Sequence, residues 1–345
     1  MSYKIKYSAL NFFLIVIPFS IIVGLRGNTP DTSTYYNIFK NIELYNLKSY
    51  KEFYLETGVE LGWGIYSKIV SIFTESPIIL FGLFSFFTFW IIYKSSEILN
   101  LKFNNVLVFY LPSAYFLMQQ FMQIRQGFAV PVVILASLLY LKGNKIAGII
   151  FFILAIFFHQ VVIPYIIVFM IYLIVNKYFP IASSFRFKIL NVLILIIGFI
   201  IVRSIIYPIA FVAFERLQAY SESDYSEKVG FFSLSNIKFY IEFFIILFFS
   251  NKKLYDNKFY IFLAFIFTIG LTLRVAFFDF AILSGRLSNV FLMSEIFLMP
   301  MLILSRFKLI YAYMLFYIYF FLILYVTWFF QASPYLEKSY FIPLS

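Results

Sequence analysis

The sequence predicts an all-α, polytopic integral membrane protein of about eleven transmembrane helices, roughly ten to twelve, with a cytoplasmic amino terminus and an outward-facing cavity. Three observations predict it. Of 345 residues, 63% are hydrophobic and only 12% charged, at a mean hydropathy of +0.92. That is more apolar surface than a soluble core can hide. The apolar residues come in long runs rather than alternating with polar ones. The basic residues collect in alternate loops, as the positive-inside rule requires.

The runs lie at 8–25, 77–93, 104–121, 126–141, 146–158, 160–175, 189–210, 237–250, 259–280, 288–304 and 309–328. The first, from Ser8 to Leu25, reads as a retained span, since no small-residue cleavage site precedes Arg26. Residues 1–345 are expected to form one membrane-embedded domain with two larger external loops, at 26–76 and 211–236. Within the first, Glu60 to Phe73 alternates apolar and polar residues like an interfacial or re-entrant helix. The 13-residue run 146–158 is short. At about 1.5 Å per residue it covers roughly 20 Å of a core about 30 Å thick. Its outer end then stops below the surface, and the tips of the third to sixth spans line a recess with Arg125 and His159 at its floor.

With the amino terminus inside, the cytoplasmic side holds Lys4, Lys6, Lys94, Lys102, Lys142, Lys145, Lys177, Arg186, Lys188, Lys252, Lys253, Lys258, Arg306 and Lys308. Only Glu97 and Asp256 oppose them. The formal charge of +11 is thus a topology signal, and a nucleic-acid partner is not expected. It also favours two tight hairpins around 146–175, because fusing that stretch would send the later basic loops to the wrong side. No cysteine and one histidine, His159, exclude disulfides, thiol nucleophiles and a His-rich or Cys-ligated metal site. The sequence contains no Gly-rich phosphate loop, HExxH, dinucleotide fingerprint or DxD-like acidic pair. No metal and no cofactor is expected.

The stretch Tyr115 to Ala129 carries the strongest site signal. A hydrophobic helix turns polar there, and Gln119, Gln123 and Gln126 are spaced to share one helical face beside Arg125. These are sugar and phosphate ligands at a membrane boundary, where an arginine requires water, a partner or an anionic ligand. The external or embedded arginines are Arg26, Arg125, Arg203, Arg216, Arg274 and Arg286. Because topology requires only charge, a preference for the planar guanidinium fork points to an anion. For Arg203, Arg216 and Arg274 a structural ion pair or a snorkelling side chain weighs as much, and Arg274 has Asp279 within reach on its own span. Arg125 and Arg286 have no carboxylate within a helical turn, which favours function. Glu295, embedded in the tenth span, needs a partner the sequence does not identify.

His159 follows an apolar run, so a packing role weighs equally with one in orienting or deprotonating an acceptor hydroxyl. Asp31 is placed to cap a helix through Tyr35, Tyr36 and Phe39. Glu60 opens a helix in which Gly62 and Gly64 permit close approach. Trp63 is either an interfacial tryptophan or a surface on which a sugar stacks. Arg286, Ser288 and Asn289 begin the tenth span on the outer side.

Five motifs occur in order along the chain. They are R-x4-D-x3-Y at Arg26, Asp31 and Tyr35, E-x-G at Glu60 and Gly62, RQ-x2-A at Arg125, Gln126 and Ala129, FH at Phe158 and His159, and GR-x-S-N from Gly285 and Arg286. Together they resemble the EpsG/Wzy-type polymerases of bacterial surface polysaccharides (O-antigen, capsule or exopolysaccharide). Two departures are Gln160 and Val161 after the histidine, where small or hydroxyl residues are usual, and Asn289, where an aromatic is common.

The resemblance implies a multi-pass protein of the bacterial cytoplasmic membrane with its site facing outward. The implied enzyme is a metal- and nucleotide-independent glycosyltransferase. It would move a glycan from a polyprenyl diphosphate carrier to the non-reducing end of another lipid-linked repeat unit. Arg125, His159, Asp31 and Glu60 would be catalytic. Arg26, Arg286, Arg274, Gln119, Gln123, Gln126, Tyr35 and Trp63 would bind substrate or diphosphate. The partners would be the lipid-linked donor and acceptor and membrane lipids, with a chain-length regulator and a flippase as candidates. The alternatives are a glycan ligase, and a flippase for lipid-linked oligosaccharide. A flippase should show two similar halves, and no internal repeat is detectable.

Overall fold

The computed structural model describes residues 2–29, 31–179, 183–209, 230–281 and 283–332, and among these the chain is helical with no strand. Arg216 and most of the expected second external loop, 211–236, lie outside the described residues. The chain divides into two compact units, Met1–Ile163 with Phe316–Ser345, and Pro164–Leu315.

In the first unit α1 (Ser2–Gly24) packs on α5 (Pro77–Ile98), which opens with Pro77 in its first turn. Small residues set this crossing. A Cβ on Gly24 would lie 2.5 Å from the Ile78 carbonyl oxygen, and one on Gly82 would lie 3.1 Å from that of Ser20. Between them in the sequence run α2 (Thr32–Lys40), α3 (Tyr50–Thr57) and α4 (Leu61–Ser71), and the segment Glu60 to Phe73, expected as an interfacial or re-entrant helix, is helical as α4.

The expected span 104–121 is corrected. Leu111-Pro112-Ser113 interrupts it, leaving α6 (Phe103–Tyr110), the single turn α7 (Ala114–Leu117) and non-helical backbone to Gln123. Next, α8 (Ile124–Lys142) and α9 (Lys145–Phe158) form the expected tight hairpin. Gly143 takes φ 109°, Asn144 Oδ1 accepts from the Ala147 N–H, and Gly148 lets α9 rest on the carbonyl of Ala136. With 14 residues, α9 remains about 21 Å long.

The second unit takes up most of α10 (Ile163–Tyr178) and contains α11 (Ser184–Ile201), which runs into a π-helical turn at Val202–Ile206. It continues with α12 (Leu234–Phe249), α13 (Lys252–Tyr255), α14 (Lys258–Ala276), α15 (Ser288–Leu292) and α16 (Glu295–Arg306). At its centre, α14 is tied to α11 by the Thr268 hydroxyl donating to Asn191 Oδ1 at 2.6 Å, and Gly270 admits the backbone of Leu292. α17 (Leu309–Val326) leaves this unit, and Phe316 and Tyr319 pack on Phe109 in the first.

Six helices among the described residues are long and apolar enough to cross a membrane, and a seventh forms if α15 and α16, bent by 47°, make one broken span. Leu10–Gly24 and Lys145–Phe158 are apolar but shorter. The expected run 288–304 is therefore not straight, and all of 237–250 but Ser250 falls within a helix of 16 residues. Burial sorts the candidates into central and outer helices. Ile124–Lys142 and Lys258–Ala276 are 78% and 83% buried, whereas Ser184–Ile209 and Leu309–Phe330 are 11% and 17% buried. The outer two present rows such as Ile196 and Ile200, or Phe321 and Phe329, that water does not tolerate in such density.

Candidate active site

Three elements of the first unit converge on one carboxylate. Glu60 precedes the first residue of α4 in extended backbone (φ −68°, ψ 146°), and its side chain does not cap that helix. Both carboxylate oxygens are used. Oε2 accepts from Arg125 Nη1, and Oε1 lies 2.7 Å from His159 Nδ1 and accepts the Gln160 backbone N–H at 3.2 Å. Arg125 also donates through Nε to the Tyr35 hydroxyl at 3.1 Å.

The glycines beside Glu60 explain how α4 reaches this place. A Cβ on Gly62 would lie 2.6 Å from the carbonyl oxygen of Phe157, so α4 sits directly on the last turn of α9, two residues before His159. A Cβ on Gly64 would meet the rings and methyls of Phe53 and Leu47, so the same helix also admits α3. His159 itself interrupts the helix in extended backbone (φ −162°, ψ 120°), which swings its imidazole out of α9's apolar face. Arg125 lies in the first turn of α8, where the helix dipole disfavours a cation. Glu60 neutralises it. The side chains are graded in exposure, with Glu60 at 4%, Arg125 at 15% and His159 at 25%, so the imidazole is the most accessible of the three.

The other expected residues divide. Tyr35 is 2% exposed and joins the cluster through Arg125. Trp63 is corrected, being neither interfacial nor open to a sugar. It is fully buried among Tyr35, Tyr66, Phe81 and Phe84, with ring centroids 5.1 to 6.1 Å apart. Arg26 is 4% exposed, and its guanidinium donates to the carbonyls of Val23, Gln120 and Phe121 while lying 4.2 Å from the Phe81 ring centroid. In this structure it clamps the non-helical segment 118–123 against the entrance to α2. Thr29 adds its hydroxyl to the same Phe121 carbonyl. Asp31 immediately precedes α2, as expected, but adopts φ 66° and forms no side-chain cap; its exposed carboxylate has no hydrogen bond or ion pair among the described residues. The three glutamines are also corrected, for they do not share a helical face. Gln119 lies buried in the non-helical segment after α7, its amide nitrogen and oxygen without partners among the described residues; Gln123 precedes α8, and Gln126 is buried in its first turn.

Arg274 and Arg286 belong to the second unit. Arg274 is 7% exposed and donates to Asn236 Oδ1 at 2.6 Å and Ser235 Oγ at 2.8 Å. Its expected pairing with Asp279 is overturned. Arg203, on the π-helical turn after α11, takes both oxygens of Asp279, just past the end of α14, at 2.8 and 2.7 Å. Arg286 is exposed on the π-helical turn Leu283–Leu287. Glu295 finds its partner in Lys238, at 2.5 Å, with Glu242 3.7 Å from the same ammonium.

Sequence reasoning missed that one carboxylate joins Arg125 to His159, and it missed Tyr50, whose hydroxyl accepts from Gln160 Nε2. The only advance signal was the E-x-G-x-G spacing, which marks a helix start built for close contact.

No three histidine, cysteine or acidic side chains gather to hold a metal among the described residues. Apolar helices of this length and exposure define an integral, multi-pass membrane protein. The chain belongs to the EpsG family, whose sequence model matches residues 10–344, and this assigns it to polysaccharide biosynthesis as a glycosyltransferase-like polymerase. No curated protein and no solved structure matches it.

Proposed function

We propose that the protein joins lipid-linked repeat units. The glycan on one polyprenyl diphosphate carrier is transferred to the non-reducing end of the unit on another, at the outer face of the bacterial cytoplasmic membrane. The observation that carries this reading is the Glu60 carboxylate held between Arg125 and His159. Glu60 takes the Nδ1 side of the imidazole and so sets its tautomer, which makes Nε2 the nitrogen that receives the acceptor hydroxyl's proton. The hydroxyl oxygen then attacks the anomeric carbon, and the bond to the diphosphate breaks with its electron pair leaving on phosphate. Glu60 stabilises the imidazolium that forms, and Arg125 holds that carboxylate in place. The donor brings its own leaving group, so neither nucleotide nor metal is needed for this step. Asp31, which precedes the helix that carries Tyr35, Gln126 beside Arg125, and the exposed Arg286 are candidates for contact with the substrates.

The orientation follows the charge asymmetry of the sequence, with the amino terminus inside and the Gln126 and Gln160 turns outside. Deleting the protein is expected to leave single repeat units exposed on the outer face and to abolish longer chains, with Arg125→Ala in inserted protein giving the same result. Units trapped on the cytoplasmic face would show a flippase instead. Reporter fusions that placed the Gln126 or Gln160 turn in the cytosol would refute the topology.

A further inference from the structure

We propose that Tyr50 and Tyr54 form an aromatic platform on which the oligosaccharide of a lipid-linked repeat unit stacks as it enters the site. The inference rests on the polymerase reading and adds a binding subsite to it. The two tyrosines are one helical turn apart on α3, their rings nearly parallel at 6° with centroids 6.1 Å apart, and Tyr50 is 38% exposed. Tyr54 is half-buried, and neither ring belongs to the buried core.

The platform is built rigidly and aimed at the site. Ser49 Oγ caps the start of α3 by accepting the Glu52 N–H, Gly58 ends the helix at φ 67°, and fully buried Phe53 seats it on Gly64 of α4. That is the helix that carries Glu60. Tyr50 is then tied to the reaction centre through one residue. Its hydroxyl accepts from the Gln160 side chain, while the Gln160 backbone N–H donates to Glu60 Oε1.

Sugar rings suit such a surface. Their axial C–H faces pack on π-systems, and their hydroxyls require amide and hydroxyl partners at the rim. Gln160 supplies an amide there. A tyrosine acting only as an interfacial anchor gains nothing from a tether to the residue after His159.

The test uses the full chain in lipid nanodiscs and, as probe, the free oligosaccharide released by mild acid from lipid-linked units of cells lacking the protein. Binding is measured by titration, and polymerisation is measured separately with the intact lipid-linked unit. Tyr50→Ala and Tyr54→Ala are expected to raise the oligosaccharide Kd on the order of tenfold. Tyr50→Phe and Tyr54→Phe should stay within about threefold, since they keep the ring. His159→Ala should bind like the wild type yet fail to polymerise. Should either alanine variant unfold, the leucine variant at that position carries the comparison. Wild-type affinity in the alanine or leucine variants, or no oligosaccharide binding by the wild type, would overturn the platform and leave the tyrosines as membrane anchors. Undiminished polymerisation by His159→Ala would instead sink the catalytic reading, whatever the platform binds.

Discussion

Gly62→Ala tests whether the approach of α4 to α9 is what makes the site. The added Cβ would lie 2.6 Å from the Phe157 carbonyl oxygen and 2.9 Å from its carbon. These are backbone atoms in the last turn of α9, so no side chain can swing aside. Ordinary contact begins near 3.4 Å, so α4 must retreat by about 0.8 Å. Glu60 precedes α4 and His159 follows α9, so the retreat opens the 2.7 Å contact between them to about 3.5 Å, beyond hydrogen-bonding distance. Overpacking of this kind costs about 1–3 kcal/mol of stability. A catalytic group displaced by about 1 Å loses on the order of 10²-fold in rate. The assay is the rate of chain extension by reconstituted protein, with thermal unfolding measured in parallel. The expected result is a protein that folds, is modestly less stable, and is slowed about a hundredfold in kcat with little change in KM. Wild-type rate and stability would refute the claim that this close approach places Glu60 against His159.

Three further outcomes follow from the same contacts. Arg125→Lys is expected to lose most chain extension, because a point charge cannot reach Glu60 and the Tyr35 hydroxyl together as the guanidinium does; wild-type chain length on a polysaccharide gel would count against it. Arg26→Ala should lower the unfolding temperature sharply, since it strips charged donors from the carbonyls of Gln120 and Phe121 at about 1.5–3 kcal/mol each, and an unchanged unfolding temperature would return Arg26 to a ligand role. Lys238→Met leaves Glu295 buried without its ammonium and should destabilise the protein by about 3–5 kcal/mol, with adding Glu295→Met and Glu242→Leu restoring much of it; denaturation of the single and triple variants measures both.

The membrane class was legible in the sequence because apolar content is a sum over residues and needs no knowledge of how they meet. Local punctuation was legible for a similar reason. Glu60 marks the start of α4, and the apolar run 146–158 stops where His159 ends α9, each through backbone chemistry confined to a few residues. Helical periodicity misled where the backbone broke. The three glutamines share a face only if Tyr115 to Ala129 is one helix, and Pro112 and the Arg26 clamp on the Gln120 and Phe121 carbonyls instead accompany a non-helical segment.

What the tertiary structure alone decided is who pairs with whom. Arg125 has no carboxylate within a helical turn, yet Glu60 reaches it across 65 residues and His159 across 99. Asp279 stands five residues from Arg274 in the sequence but pairs with Arg203, and Glu295 meets Lys238 on another helix. Charges in an apolar interior must find partners because leaving them alone costs several kcal/mol. Residue chemistry therefore dictated that partners exist, and only helix packing, set by contacts as small as the missing Cβ of Gly62, selected them.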